Sequence, residues 1–553
     1  MIRTPDRPFL PLILALLTLM AALQISSILE ESQTFDEAVH LTAGYHYWQT
    51  GSFQMNHEHP PLQKLLSAAP LLIWRPELPS DPNLVNDQFN LAKAFLYEGR
   101  IPADRMLLAG RLPTIALTVL LGLALAWWAR RYFGPLAALV AVTLFALDPN
   151  LIAHGRYITT DLIAALFYFL ACAVWTVHVL NPSLRNALAA GIVLGLALAS
   201  KYSLIVLLVL LPVLSLLRWL QAGRAFPWKR YWLSVGVTLL AAFFTLGAVY
   251  GPETIRAARR QNPHIARVKL GPFHYPRHSF FTGLDAVLTH NKDGHPSYLL
   301  GEISDKGWWY YFPVAFAVKS TTALLLALLL LLWLAARAFP WVLYSPRKIP
   351  FPWLVLVIPP VVFFAVSMTS RINIGLRHLL PVYPFLYALA GAAIVHGLSG
   401  TARRAVVIAL LSLQAVETAR IHPNYLTFFN LVAGGPQAGP RYLLDSNIDW
   451  GQDLKRLKSF MDREKLSSVC LEYFGYADPA YYGIRHEYLP KSWNREEIER
   501  MDCIGAISVT LLHDLYIPKG SYEWLRRRRP FGTIGNSIYL FDLRKPRTSL
   551  PGP

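Results

Sequence analysis

The chain has 553 residues, of which 54% are hydrophobic and only 16% charged, and it carries a formal charge of +18. With a mean hydropathy of +0.34, it cannot be an ordinary soluble enzyme, because one core could not bury so much apolar surface. Nor does the charge imply nucleic acid. Arg130/Arg131, Arg185, Arg218 to Arg230, Arg337/Arg347/Lys348 and Arg403/Arg404 fall in short gaps between apolar runs, as in basic loops kept on the cytoplasmic side of a membrane.

The first such run, Phe9–Leu29, is long enough to span a bilayer and follows Arg3 and Arg7. It is too long for a signal-peptide core and lacks a small-x-small cleavage site, so it reads as a retained first span with the N-terminus inside. Residues 30–105 then form an external loop, with amphipathic pieces at 60–74 and 87–98 that lie along the interface. Spans follow at about 106–129, 134–152 and 157–180. From 186 to 220 the apolar stretch breaks at Ser200-Lys201-Tyr202-Ser203, which predicts two short helices meeting externally at the lysine.

A seventh span, about 231–250, leads to a second external loop, 252–306. This loop carries Arg256, Arg259, Arg260, Arg267, Lys269, Arg277 and Lys292, a composition suited to anionic headgroups. Trp308, Trp309, Tyr310 and Tyr311 form an interfacial belt that starts the eighth span, which returns at Arg337. Spans at about 351–369, 378–397 and 404–419 complete a count of about eleven, leaving the C-terminus outside. Residues 421–553 are more polar, with a helix-like 450–466 and strand-like 468–474, 503–511 and 533–543. The expected fold class is therefore mainly α, a polytopic membrane domain over 1–420 followed by a small external α/β domain. Cys470 and Cys503 both fall in that domain and could be bridged, whereas Cys172 lies inside an apolar run.

The densest chemistry lies in the first loop. Asp36-Glu37 follows directly after the first span, and His40 lies on the same helical face if a helix starts there. Two readings compete for the acids: helix capping in the first turn, or a carboxylate poised at the water–lipid boundary to take a proton from a hydroxyl. His57-Glu58-His59-Pro60-Pro61 predicts an extended backbone, because residues before proline avoid the α region. His57 and His59 would then point the same way, a metal-compatible spacing but only two ligands. Lys64, just beyond, is a candidate phosphate contact. Arg156, Asp161, Lys201, Arg371, Arg377 and His378 place further charge at the external rim, where cations could receive a lipid phosphate.

Asp36-Glu37, His59-Pro60-Pro61-x-x-Lys64, Arg156 to Asp161, Ser200-Lys201-Tyr202 and Gly375-Leu-Arg377-His378-Leu-Leu-Pro381 together resemble the phospholipid-carrier-dependent glycosyltransferases. These are the membrane superfamily of the protein O-mannosyltransferases and the lipid A aminoarabinose transferases. The tail motif Tyr442-Leu-Leu-Asp445-Ser-Asn447-Ile-Asp449-Trp450-Gly451-Gln452-Asp453 resembles bacterial members. The resemblance implies the family C glycosyltransferase fold in a bacterial inner membrane, and a sugar donor linked to polyprenyl phosphate. It implies a lipid, glycan or protein acceptor and inversion at the anomeric carbon, with no cofactor required. A divalent metal stays open only through the two histidines. Asp36 would be the general base and Glu37 its tuning neighbour. Arg156, Lys201, Arg377 and Lys64 would hold the donor phosphate. His40, His57, Glu58, His59, Asp161 and His378 would line the substrate cavity. The rival readings are a transporter or lipid flippase, and a lipid-linked oligosaccharide ligase or polymerase; the concentration of polar residues in one early loop argues against the first.

Overall fold

A computed structural model describes residues 9–80, 87–251, 267–270, 273–276, 279–344 and 349–545. Arg3, Arg7, Arg256, Arg259, Arg260, Arg277, Arg347 and Lys348 lie outside the described residues.

The N-terminal half is helical. Helix α1 (Phe9–Ile28) is followed by four short helices in the first loop, α2 (Glu37–Thr50), α3 (Leu62–Ala68), α4 (Leu71–Trp74) and α5 (Gln88–Tyr97). Next come α6 (Ala103–Phe133), α7 (Pro135–Ala146), α8 (Pro149–His154), α9 (Thr160–Leu180), α10 (Leu184–Leu198), α11 (Leu207–Ala222) and α12 (Trp228–Val249). The interfacial pieces expected at 60–74 and 87–98 are therefore α3, α4 and α5. The expected third span is cut after Ala146, where Asp148 caps α8 by accepting from the backbone N–H groups of Asn150 and Leu151. The break at Lys201 stands as expected, between α10 and a 3₁₀ turn, Tyr202–Val206, that leads into α11.

Among the described residues six helices are long and apolar enough to cross a membrane, and three shorter apolar helices accompany them. The expected eighth span is not one helix: Tyr311–Lys319 and Thr322–Arg337 meet at 111°, and together they would make a seventh. Lys319 sits at that bend, fully buried, and donates to the carbonyls of Leu426 (2.9 Å) and Asn447 (2.5 Å).

Helix α9 and the Leu376–Gly397 segment are the most enclosed of the candidate spans, whereas α1 and α12 present most of their surface outward. Helices α10 and α12 meet through small residues: a Cβ on Gly191 or Gly195 would fall 2.4 Å and 2.6 Å from the carbonyl oxygens of Thr238 and Ala242. Such spacing lets two backbones touch where lipid offers no hydrophobic drive to pack. Gly44 does the same between α2 and α3, where a Cβ would lie 2.0 Å from the Lys64 carbonyl.

The expected C-terminal α/β unit is a five-stranded sheet of β1 (Val469–Glu472), β2 (His486–Tyr488), β3 (Ile504–Ser508), β4 (Gly532–Ile534) and β5 (Ile538–Asp542). Their order in the sheet is β2-β1-β3-β5-β4. The β2-β1-β3 pairs are parallel and the β3-β5-β4 pairs antiparallel. Helix Leu454–Arg463 packs Leu454, Leu457 and Met461 into the same core as Val469 and Leu471. Cys470 and Cys503 are disulfide-bonded, joining neighbouring strands, while Cys172 is free and buried.

Candidate active site

Asp36 and Glu37 are adjacent in sequence and differ completely in environment. Asp36 occupies the N-cap position of α2 but makes no side-chain cap hydrogen bond. Its carboxylate is 24% exposed and takes Arg377 Nη1 at 3.1 Å. Glu37 is fully buried: Oε1 accepts Arg111 Nε (2.8 Å) and the Ile158 N–H (3.1 Å). Its Oε2 accepts Arg111 Nη2 (2.6 Å) and the Thr34 N–H (2.9 Å). Burial alone would raise the pKa of Glu37, but the bidentate Arg111 pair and the two N–H donors outweigh it and hold the carboxyl below its usual range.

Arg377 links Asp36 to a second carboxylate. Its Nη1 also lies 3.3 Å from Asp161, and Asp161 in turn pairs with Lys201. Asp161 enters from the first turn of α9 and Lys201 from the break before the 3₁₀ turn. Arg377 comes from the 3₁₀ segment Leu376–Val382. These breaks and turns place the four charged side chains where straight helices could not. Arg377 is held from other sides by Ser446 Oγ (3.1 Å from its Nε) and by the Trp450 ring, 4.2 Å from its guanidinium carbon.

Both of those partners belong to the tail motif, which is built into the site. Asn447 Oδ1 accepts the Leu376 N–H at 3.0 Å, and Ser446 Oγ donates to the Ile374 carbonyl at 2.5 Å. From the other end of the chain, Phe35 N–H donates to the Trp450 carbonyl and Ser32 N–H to the Gln452 carbonyl, both at 2.9 Å. The backbone just before Asp36 is thus tied to the same motif that grips Arg377.

The polar surroundings are largely uncharged. His40 Nδ1 lies 2.7 Å from the Ile158 carbonyl, which fixes Nδ1 as the protonated nitrogen, and burial pushes its pKa down to about 4. The rings of His40 and His59 meet edge to face at 5.3 Å. Burial, with His40, Lys64 and Lys201 nearby, also holds His59 well below the ordinary histidine value. On the tail side Asp445 accepts from Tyr516, whose hydroxyl lies 3.2 Å from His295 Nε2, and His295 Nδ1 lies 3.1 Å from His290. Burial raises Asp445 to about 6 and lowers His295 to about 4. His295 also feels the charges of Arg377 and Asp36, so this string borders the central pair.

Residues 103–248 match the family model described as dolichyl-phosphate-mannose-protein mannosyltransferase. That region contains Arg111, Asp161 and Lys201 but neither Asp36 nor Arg377. No curated protein matches the chain in sequence. Among solved structures, the Cupriavidus metallidurans ArnT bound to undecaprenyl phosphate has a TM-score of 0.50 at 13% identity, over 97% of this chain and 99% of its own. The S. cerevisiae protein O-mannosyltransferase Pmt1–Pmt2 complex bound to the sugar donor has a TM-score of 0.51 at 13% identity, over 76% of this chain and 90% of its own. The chain has the family C glycosyltransferase fold.

On this fold, the structure brings together Asp36, Asp161, Lys201 and Arg377. His40, His59 and His378 lie close enough to those charges to feel them. Three expectations need correction. Glu37 is locked to Arg111 and does not share the setting of Asp36. Lys64 is fully buried and donates to Tyr47 Oη and to the carbonyls of Asn56 and His59, so its amine is engaged by the first loop, and burial holds its pKa well below the ordinary lysine value, which does not suit a phosphate contact. Arg156 is also fully buried, with Nη2 on Glu31 (2.8 Å) and on the Tyr157 hydroxyl (3.2 Å) and with Nε and Nη1 unpartnered among the described residues, so it pairs with Glu31 and not with the carboxylates of the Arg377 cluster.

The His57-Glu58-His59 segment is a turn, not an extended strand: Met55 to Glu58 turn through Asn56 at φ 50°, and His57 Nδ1 sits on the Gln54 carbonyl. The two histidines therefore do not align as expected. Among the described residues no three His, Cys, Asp or Glu side chains are grouped for a metal. Arg371 donates its backbone N–H to Asn291 Oδ1 and its Nη1 to the Lys292 carbonyl, and among the described residues it pairs with no carboxylate of the cluster.

Sequence reasoning did not reach Glu31, Arg111, Lys319, Ser446, Trp450 or the Asp445–Tyr516–His295 string. Arg111 and Lys319 had a readable signal, since each is a lone cation in an apolar run. The tail residues had none beyond their motif, because their partners lie far away in sequence.

Proposed function

We propose that the chain is an integral-membrane glycosyltransferase, oriented with its N-terminus in the cytoplasm and its C-terminal domain outside. It would transfer a sugar from a polyprenyl-phosphate donor to an acceptor hydroxyl on a lipid, glycan or protein at the outer face. The observation that carries this reading is the divergence of Asp36 and Glu37. Asp36 is partly exposed, is free of any capping duty and lies against a cation network, as a base acting on a substrate beside a phosphate must.

In the reaction, the acceptor oxygen attacks the anomeric carbon from the face opposite the phosphate, and its proton passes to the Asp36 carboxylate. The bond from the anomeric carbon to the phosphate oxygen breaks, and the configuration inverts. Negative charge builds on the departing phosphate, which Arg377 and Lys201 stabilise. Phosphate leaves without protonation, so one carboxylate suffices where a glycosidase needs two. Asp161 keeps the two cations side by side until the donor arrives. The acceptor is received on the side of Asp445, Tyr516 and His295, whose hydroxyl, carboxyl and neutral imidazole suit hydroxyl groups better than a second phosphate. The scheme requires no cofactor.

The test is reconstitution of the full chain with polyprenyl-phosphate hexoses and pentoses and with glycolipid, glycan and peptide acceptors. Asp36→Asn is expected to lower kcat by about 10²–10⁴-fold while donor affinity is kept. Full activity in that variant would remove Asp36 as the base. Movement of lipid across the bilayer with no covalent product would identify a transporter instead.

A further inference from the structure

A second site lies away from the charged cluster, toward the far ends of helices that start beside it. Helices α9, α10, α11 and α12 enclose an apolar groove of about 580 Å³, lined by Trp175, Leu207, Pro212, Trp219, Trp228 and Trp232 among others. Pro212 falls inside α11, where it has no N–H to donate to the preceding turn. Several lining side chains face outward, with Leu208 45% and Trp232 62% exposed, so the groove is open on its lipid side. At its end Trp219 meets Trp228 edge to face, with ring centroids 5.4 Å apart, and Trp228 stacks on Trp232 at 6.1 Å. An indole cluster of this kind marks the level of lipid headgroups.

The charge beside that cluster has one sign. Arg218, Lys229 and Arg230 stand next in sequence to the lining residues Trp219, Trp228 and Tyr231, Arg224 lies in the turn between α11 and α12, and the sequence holds no acidic residue between Asp161 and Glu253. None of the four cations is in an ion pair among the described residues, and the Nε of Arg218 is buried without a hydrogen-bond partner. A topology signal needs only exposed positive charge; it does not require a shaped apolar groove or a buried guanidinium nitrogen with nothing to bind.

We propose that this groove is a binding site for an anionic phospholipid of the cytoplasmic leaflet. Its acyl chain lies along α11 and α12, and its phosphate is held by Arg218 with Lys229 and Arg230. Zwitterionic lipids carry the same phosphate but also an ammonium, for which a segment without acids offers no partner, so selectivity follows from net charge. The site is independent of the glycosyltransferase reading, and the donor phosphate would sit at the other end of these helices.

The experiment is native mass spectrometry of the full chain with phosphatidylglycerol, phosphatidylcholine, undecaprenyl phosphate and inorganic phosphate, each supplied alone. Thermal unfolding in nanodiscs with and without phosphatidylglycerol accompanies it. Phosphatidylglycerol is expected to be retained about tenfold better than phosphatidylcholine. The triple variant Arg218→Gln, Lys229→Gln, Arg230→Gln should abolish that preference, and Leu208→Trp, which fills the groove, should lower retention of both lipids. Equal retention of the two phospholipids, or an unchanged preference in the triple variant, would overturn the proposal. So would preferential capture of undecaprenyl phosphate, which would make the groove a seat for the polyprenyl chain, or stabilisation by inorganic phosphate without lipid.

Discussion

At the scale of single residues, two adjacent carboxylates differ because of what surrounds them. Glu37 has no exposed surface and four donors, and it ties α2 to α6 and to the segment before α9. Removing one partner of such a buried pair leaves an uncompensated charge, which costs about 3–5 kcal/mol. Glu37→Gln is therefore expected to lower Tm sharply and to reduce activity only in proportion to the folded fraction lost. Asp36→Asn should lower activity while leaving Tm nearly unchanged. Thermal unfolding of both variants beside the transfer assay separates the two roles, and a stable, inactive Glu37→Gln would return Glu37 to the chemistry. The sequence presented the pair as two equal candidates. Nothing local distinguished them, because the deciding partner, Arg111, lies 74 residues away.

At the scale of elements, the charges that cluster come from places where helices stop. Asp161 lies in the first turn of α9, Lys201 follows the end of α10 and Arg377 lies in a 3₁₀ segment. The break at Lys201 could be read directly, since Ser-Lys-Tyr-Ser interrupts an otherwise apolar run. The bend after Lys319 could not, because Ser320-Thr321 is compatible with a continuous helix and the lysine passes for a snorkelling cation. Its real partners are two buried carbonyls, one of them on Asn447. Lys319→Met keeps the length and removes the donor, leaving both carbonyls unsatisfied at about 1–3 kcal/mol each. The variant should unfold at lower temperature. It should also lose turnover beyond that instability, because Asn447 Oδ1 positions Leu376, the neighbour of Arg377. Full turnover in the folded fraction would separate the bend from the site.

At the scale of the molecule, the two ends of the chain close on each other at the site. The strand-like contact of Ser32 and Phe35 with Gln452 and Trp450 joins residues more than 400 positions apart, so no local pattern could announce it. The helical membrane domain, the break and the α/β tail were readable from periodicity; their closure was not. The closure ties the sidedness of the tail to that of Asp36, and the Cys470–Cys503 disulfide offers a way to read it. A disulfide persists in an oxidising compartment and is reduced in the cytosol. Membranes prepared without reductant and treated with a permeant maleimide should label Cys470 and Cys503 only after reduction. Replacing both with alanine removes a cross-link spanning 33 residues, a loop worth about 3–4 kcal/mol in chain entropy, and should lower the Tm of the full chain. Labelling without reduction would place the tail, and Asp36 with it, on the cytoplasmic side, where a donor presented at the outer face could not reach it.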